Sequence, residues 1–228
     1  FNIEVANAFL LSLIREFKKL NISQVYLLKA LNSLEKFHFI NNAICSNRSS
    51  GLDIMYAKAS RELLQAKDKH AKHKMIDEFI KKVDLKIPDK SLFEAKFDSK
   101  LYFVKNMTKQ KKLVQYVLNK IEFKKQKKNV SLINMTLEHI YPESPDSKWK
   151  ALNNDTLTQN IGNLILLDSG LNSKIGNKEF IKKKELIEKE STLISTKESV
   201  KGKIEWYDKE ILERRNKLVE FLYEDIWI

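Results

Sequence analysis

Four residues in one short stretch of this 228-residue chain have the types needed to attack a phosphodiester: the adjacent Glu138 and His139, then Asn163, then Asn172. Each has an ordinary explanation by itself. A lone histidine is more often structural than catalytic, an Asn beside a Gly usually makes a turn, and an Asn just before a helix usually caps it. Together they place hard oxygen donors and a base on neighbouring elements. Cutting a phosphodiester needs a nucleophilic water, neutralisation of the charge that builds in the transition state, and help for the leaving oxygen. The Glu138 carboxylate and the Asn172 side-chain carbonyl are oxygen ligands suited to Mg²⁺ or Mn²⁺, not the N/S set that selects zinc. If Glu138 and His139 share a strand they face opposite ways, which frees His139 to act as general base. An unperturbed imidazole pKa of about 6.5 suits proton abstraction near neutrality. Asn163 is expected to tie the long loop 143–159 to the strands through side-chain hydrogen bonds.

These residues must be positioned by a chain that is otherwise built for helix. Gly (5) and Pro (3) are scarce, so long helices should dominate. Apolar spacing predicts helices over 5–20, 23–44, 53–67, 72–84 and 108–126. In the second of these, Val25, Leu28, Leu31, Leu34 and Phe37 are expected on one side. A polar loop covers 45–52, and Pro88 marks a break. The texture changes after Asn129. Residues 130–140 read as extended and end at Pro142, the loop follows, and residues 161–168 are short, apolar and β-like. Helical period returns from about Gly170, and a last helix near 204–226 carries Trp206, Ile211, Leu218, Leu222 and Trp227. The expected fold is mostly α with a small β-hairpin, divided into a basic helical region 1–130 and a second region 131–228. Trp149 is expected to pack the long loop, with Trp206 and Trp227 as core anchors.

Charge is unevenly spread. Of the net +12, residues 1–130 carry +14 and residues 131–228 carry −2. The basic excess is densest from Lys105 to Lys128, where nine lysines face the lone Glu122. Such a field suits a polyanion, although a lysine-rich solvated helix face would look the same. No apolar run approaches the ~18 residues that span a bilayer, and no leader pattern opens the sequence, so a cytoplasmic location is expected, with no membrane partner. The start at Phe1 suggests a piece of something longer. With Cys45 as the single cysteine, an intrachain disulfide and a cysteine-based zinc site are excluded. Lys174 and the run Lys182, Lys183, Lys184 are candidates for holding a DNA backbone, or an ordinary solvated face. His38, His70 and His73 read as bystanders, the i,i+3 pair His70/His73 lacking a third ligand.

The segment 137–142 (LEHIYP), then 161–167 (IGNLILL), Leu171-Asn172, Gly176-Asn177 and Phe180 through Lys184 resembles the HNH nuclease domain of GmrSD-type restriction enzymes. It is also similar to the related nuclease domain of phosphorothioate-linked defence systems. Trp206, Ile211, Arg214 and Trp227 resemble the same family's C-terminal helix. The resemblance implies a ββα-metal finger enclosed by the helical body and a divalent-cation-dependent DNA endonuclease acting in anti-phage restriction. Duplex DNA, modified or from phage, is then the substrate, and an upstream ParB-like nucleotide-binding domain or subunit is the partner. By position, His139 matches the general base, Glu138 the acidic metal ligand, Asn163 the middle Asn and Asn172 the last ligand. Lys183 matches a Phe-x-x-Lys spacing from Phe180. Glu138 stands where many HNH enzymes have Asp, and Asn172 where the second His would be. Both changes keep oxygen donors, which favours Mg²⁺ or Mn²⁺ over zinc or nickel. No Gly-rich phosphate loop occurs in the chain. Two other readings share these residues: a non-catalytic DNA-binding or assembly module, and a nuclease acting on RNA.

Overall fold

A computed structural model of the chain describes residues 4–105, 107–126 and 134–227. Lys127 and Lys128, and the first residues of the expected extended stretch, 130–133, lie outside the described residues. The chain forms two compact units, one reaching to Lys96 and taking in Trp227, the other beginning at Phe97 and reaching Ile226. The change in sequence texture at 130/131 and the division at 96/97 are different boundaries. The reason is α6 (Thr108–Gln126), whose packing belongs with the second unit.

The first unit is helical: α1 (Asn7–Lys18), α2 (Gln24–His38), α3 (Leu52–Gln65), α4 (Lys69–Asp84) and most of α5 (Lys90–Phe97). Its core includes Phe9, Leu13, Tyr56, Phe79 and Val83. The buried side of α2 matches the expected one at Leu34 and Phe37 but not at its start. Val25 is 71% and Leu28 48% exposed, while Ala30, Ser33, Leu34 and Phe37 face inward. The buried stripe is therefore set by where α1 and α4 lie, not by the largest apolar residues at the helix start. After His38 the helix widens into a π-helical turn, Phe39–Ile44. His38 lies between Asn42 (2.6 Å) and Tyr56 (2.7 Å). His73 Nε2 accepts the Ser23 N–H at 3.1 Å and stacks on Tyr26.

The second unit holds the one sheet seen among the described residues, a two-stranded antiparallel hairpin. Strand β1 (Met135–His139) pairs with β2 (Leu164–Asp168), Glu138 opposite Ile165 and His139 opposite Leu164. Four helices follow: α7 (Ser169–Ile175), α8 (Phe180–Glu190), α9 (Ile194–Val200) and α10 (Asp208–Glu220). Asp168 is both the last residue of β2 and the cap of α7, its Oδ1 accepting the Gly170 N–H at 2.8 Å. The chain thus passes from strand to helix with no loop. Glycine at 176 (φ +47°) stops α7 in a backbone region that other residues adopt poorly. Glu122, the lone acid of the lysine-rich stretch, is fully buried. Its carboxylate accepts the Ile194 and Ser195 N–H groups (2.7 and 2.8 Å) at the start of α9, which docks α6 on this unit. The core is built from Ile165, Leu167, Ile175, Phe180, Trp206 and Ile211, among others.

Candidate active site

Strand alternation sorts the site. Thr136 and Glu138 lie on one face of β1, Leu137 and His139 on the other. Helix α7 packs across both strands, and the Asn172 amide nitrogen donates to Thr136 Oγ1 at 2.9 Å. This bond turns the amide nitrogen toward Thr136, leaves the Asn172 carbonyl oxygen as a donor atom for a ligand, and brings Asn172 to the Glu138 face. His139 comes from the same strand end but the opposite face, buried at 7% exposure.

The loop between the strands is held by Asn163, which is fully buried. Its Oδ1 accepts the Tyr141 N–H (2.8 Å) and the Trp206 indole N–H (3.0 Å), and its Nδ2 donates to the carbonyls of Tyr141 and Thr158, both at 2.8 Å. All four hydrogen-bonding positions of one amide are used, so Asn163 locks the two ends of the loop and anchors Trp206. Next to it, Gly162 meets α10 at a distance that forbids a side chain: an added Cβ would lie 2.3 Å from the Ile211 carbonyl oxygen. Arg214 donates to the carbonyls of Ile161 and Gly162 at 2.9 and 2.8 Å. Burial pushes its pKa down to about 10. Trp149 packs edge-on to Tyr141, with centroids 5.1 Å apart.

Lys183 holds a place that the sequence did not suggest. Its side chain is 1% exposed, and its ammonium donates to Glu138 Oε1 and to the His139 carbonyl, both at 2.9 Å. Lys183, a candidate for the DNA backbone by sequence, is thus engaged inside the chain. The other three lysines of that set separate. Lys174 pairs with Glu190 (2.7 Å) and Lys182 with Glu179 (2.9 Å), both exposed, while Lys184 donates to the Lys203 carbonyl at 2.9 Å. Burial raises the Glu138 pKa against the pull of Lys183, and lowers that of Lys183 against the pull of Glu138.

Burial also lowers the His139 pKa, and Lys183 works in the same direction, while Glu143 and a backbone hydrogen bond at Phe103 oppose it. The neutral imidazole is the form of a base. Its Nε2 is buried without a hydrogen-bond partner among the described residues, with Glu143 Oε1 at 3.8 Å. A buried, unsatisfied ring nitrogen costs about 1–3 kcal/mol and calls for a reason, of which a catalytic role is one. Among the described residues no three His, Cys, Asp or Glu side chains gather as a ligand set. A divalent cation here would rest on the Glu138 carboxylate, the Asn172 carbonyl and water, an all-oxygen set that fits Mg²⁺ or Mn²⁺.

Residues 93–221 match the family described as GmrSD restriction endonucleases, C-terminal domain, more than half of the chain and nearly all of the second unit. The chain belongs to this family. Membership implies a restriction endonuclease, and hence nuclease activity with DNA as substrate. Restriction nucleases typically work with divalent metals. No curated protein matches the chain. Among the described residues no helix is long and apolar enough to cross a membrane. The match begins well before the hairpin, at 93, so the family domain includes α6 and the segment leading to it. The residues that carry the resemblance in the sequence begin only at 137, because the acid, the base and the amides all lie beyond that point.

Proposed function

We propose that the chain is an HNH-type phosphodiesterase, the nuclease part of a larger anti-phage restriction enzyme, cutting or nicking duplex DNA with Mg²⁺ or Mn²⁺. The observation that carries this reading is the orphaned Nε2 of His139 at the end of β1, in a strand–strand–helix unit that presents the Glu138 carboxylate and the Asn172 amide on the opposite strand face. His139 takes the proton of the attacking water, and its lowered pKa keeps it unprotonated near neutrality. Glu138 and Asn172 would hold the cation, which supplies Lewis acidity at the scissile phosphate and the departing oxygen. Lys183 fixes the Glu138 carboxylate through Oε1. Asn163 keeps the loop ends, and with them the strand end that carries His139, in place. Exposed Lys174 and Lys182 are available to the DNA backbone. Recognition of modified or phage DNA, and any nucleotide dependence, reside in an upstream ParB-like domain or subunit, and the enzyme works in the cytoplasm.

The test is conversion of supercoiled plasmid to open-circle and linear forms with Mg²⁺, with Mn²⁺ and with EDTA, alongside a duplex RNA of similar length. Metal-dependent cutting of DNA is the expected result. Cutting of RNA alone would move the same chemistry to another substrate, and retention of DNA with no cutting in any metal would make the chain a binding module.

A further inference from the structure

Outside the hairpin, Phe103 lies against His139. The two rings are near-parallel, with centroids 5.5 Å apart and 22° between their planes. Phe103 is itself held firmly. Its N–H donates to the Gln159 carbonyl at 2.9 Å, the Ile161 N–H donates to the Leu101 carbonyl at 3.1 Å, and Tyr102 pairs with Asn160 in an antiparallel bridge. Residues 101–103 therefore run alongside 159–161, the stretch that leads directly into Asn163. One rigid piece of backbone fixes both the loop end and the aromatic face that covers the histidine.

The imidazole needs such a face. Rotation about its outer torsion is broad unless something holds the ring; a backbone hydrogen bond at Phe103 restrains it, and among the described residues no side chain comes within hydrogen-bonding distance of Nε2. A flat hydrocarbon ring can set the plane of an imidazole without engaging its in-plane nitrogen, which a carboxylate partner at that nitrogen would do.

We propose that Phe103 is a positioning residue for the general base, its ring fixing the plane of the His139 imidazole so that Nε2 stays aimed at the attacking water. This rests on the nuclease reading of His139 and extends the active site to a residue far upstream of the hairpin.

The experiment uses the full chain, its Phe103→Leu variant, which keeps an apolar side chain of similar bulk, and its Phe103→Tyr variant, which keeps the ring. Plasmid cleavage in Mn²⁺ gives kcat and KM, and NMR of histidine-labelled protein gives the His139 ring-proton shifts, which a stacked neighbour displaces by its ring current. In Phe103→Leu, kcat should fall by ~10- to 100-fold while KM for DNA stays within about twofold. The ring-current displacement should vanish with thermal stability near that of the parent, and Phe103→Tyr should restore both readouts. A Leu variant that turns over like the parent overturns the proposal, as does a stable Tyr variant as slow as the Leu one. A parent chain that cuts no DNA is the separate result that overturns the nuclease reading itself.

Discussion

At the scale of single residues, the second unit holds its site with buried polar groups whose partners are named and close. Lys183 is the clearest case. Removing one member of a buried ion pair leaves the other charged and unpaired, at a cost of about 3–5 kcal/mol. Lys183→Met should therefore lower stability by about that amount, and adding Glu138→Gln should recover part of it, because the stranded carboxylate is then gone. Urea unfolding of the two variants measures this, and a double variant no more stable than Lys183→Met would mean that the pair is not coupled. His38 makes a prediction for pH. Burial lowers its pKa in the folded chain, so the unfolded state takes up a proton that the folded state resists. Its contribution is complete above the unfolded value of about 6.5 and is lost as pH falls below it. Unfolding midpoints at pH 7.5 and 5.5 should differ less in a His38→Gln variant than in the parent, and an equal difference in both would assign the acid sensitivity elsewhere.

At the scale of elements, the site depends on how tightly α10 lies on the loop before β2. Gly162 is the contact point. A Cβ there would sit 2.3 Å from the Ile211 carbonyl oxygen, so Gly162→Ala should force the loop away, strain the Arg214 bonds and cost about 1–3 kcal/mol. Plasmid cleavage should fall with it, since Asn163 is the next residue. An Ala variant with parental stability and activity would show that the loop moves freely. This element was half legible beforehand. The Ile-Gly-Asn run stood out because its residue types are particular, and Asn163 was expected to tie the loop. The need for Gly162 was not visible, because it arises from α10, a helix that arrives much later in the chain. The same holds for Trp206, whose indole shares Asn163, and for Phe103, which no local spacing connects to His139. Lys183 was set apart from its two lysine neighbours only by its Phe-x-x-Lys spacing from Phe180, with an ordinary solvated face as the other reading. Only the packing of α8 shows that it points inward while its neighbours do not.

At the scale of the whole molecule, the helical class and the single hairpin followed from scarce Gly and Pro and from one change of periodicity. The start of the second unit did not, because α6 reads as a basic surface helix and its docking depends on buried Glu122. Charge is the property that spans the chain, with the excess in residues 1–130. If that field holds DNA, log affinity should fall linearly with log salt. Changing exposed Lys109, Lys111 and Lys112 at the start of α6 to Gln should then shallow the slope by about 1 for each lysine that meets a phosphate. Fluorescence anisotropy with a labelled duplex reads this directly, and an unchanged slope would place the DNA on another face. The most direct measurement of all is the rate of plasmid cleavage in Mg²⁺ or Mn²⁺ by the parent and by His139→Ala, with circular dichroism and DNA binding matched between them. Loss of the general base should slow cleavage by ~10²–10⁴-fold with fold and binding kept, whereas a His139→Ala chain that cuts at the parental rate would contradict the assignment of this imidazole as the base.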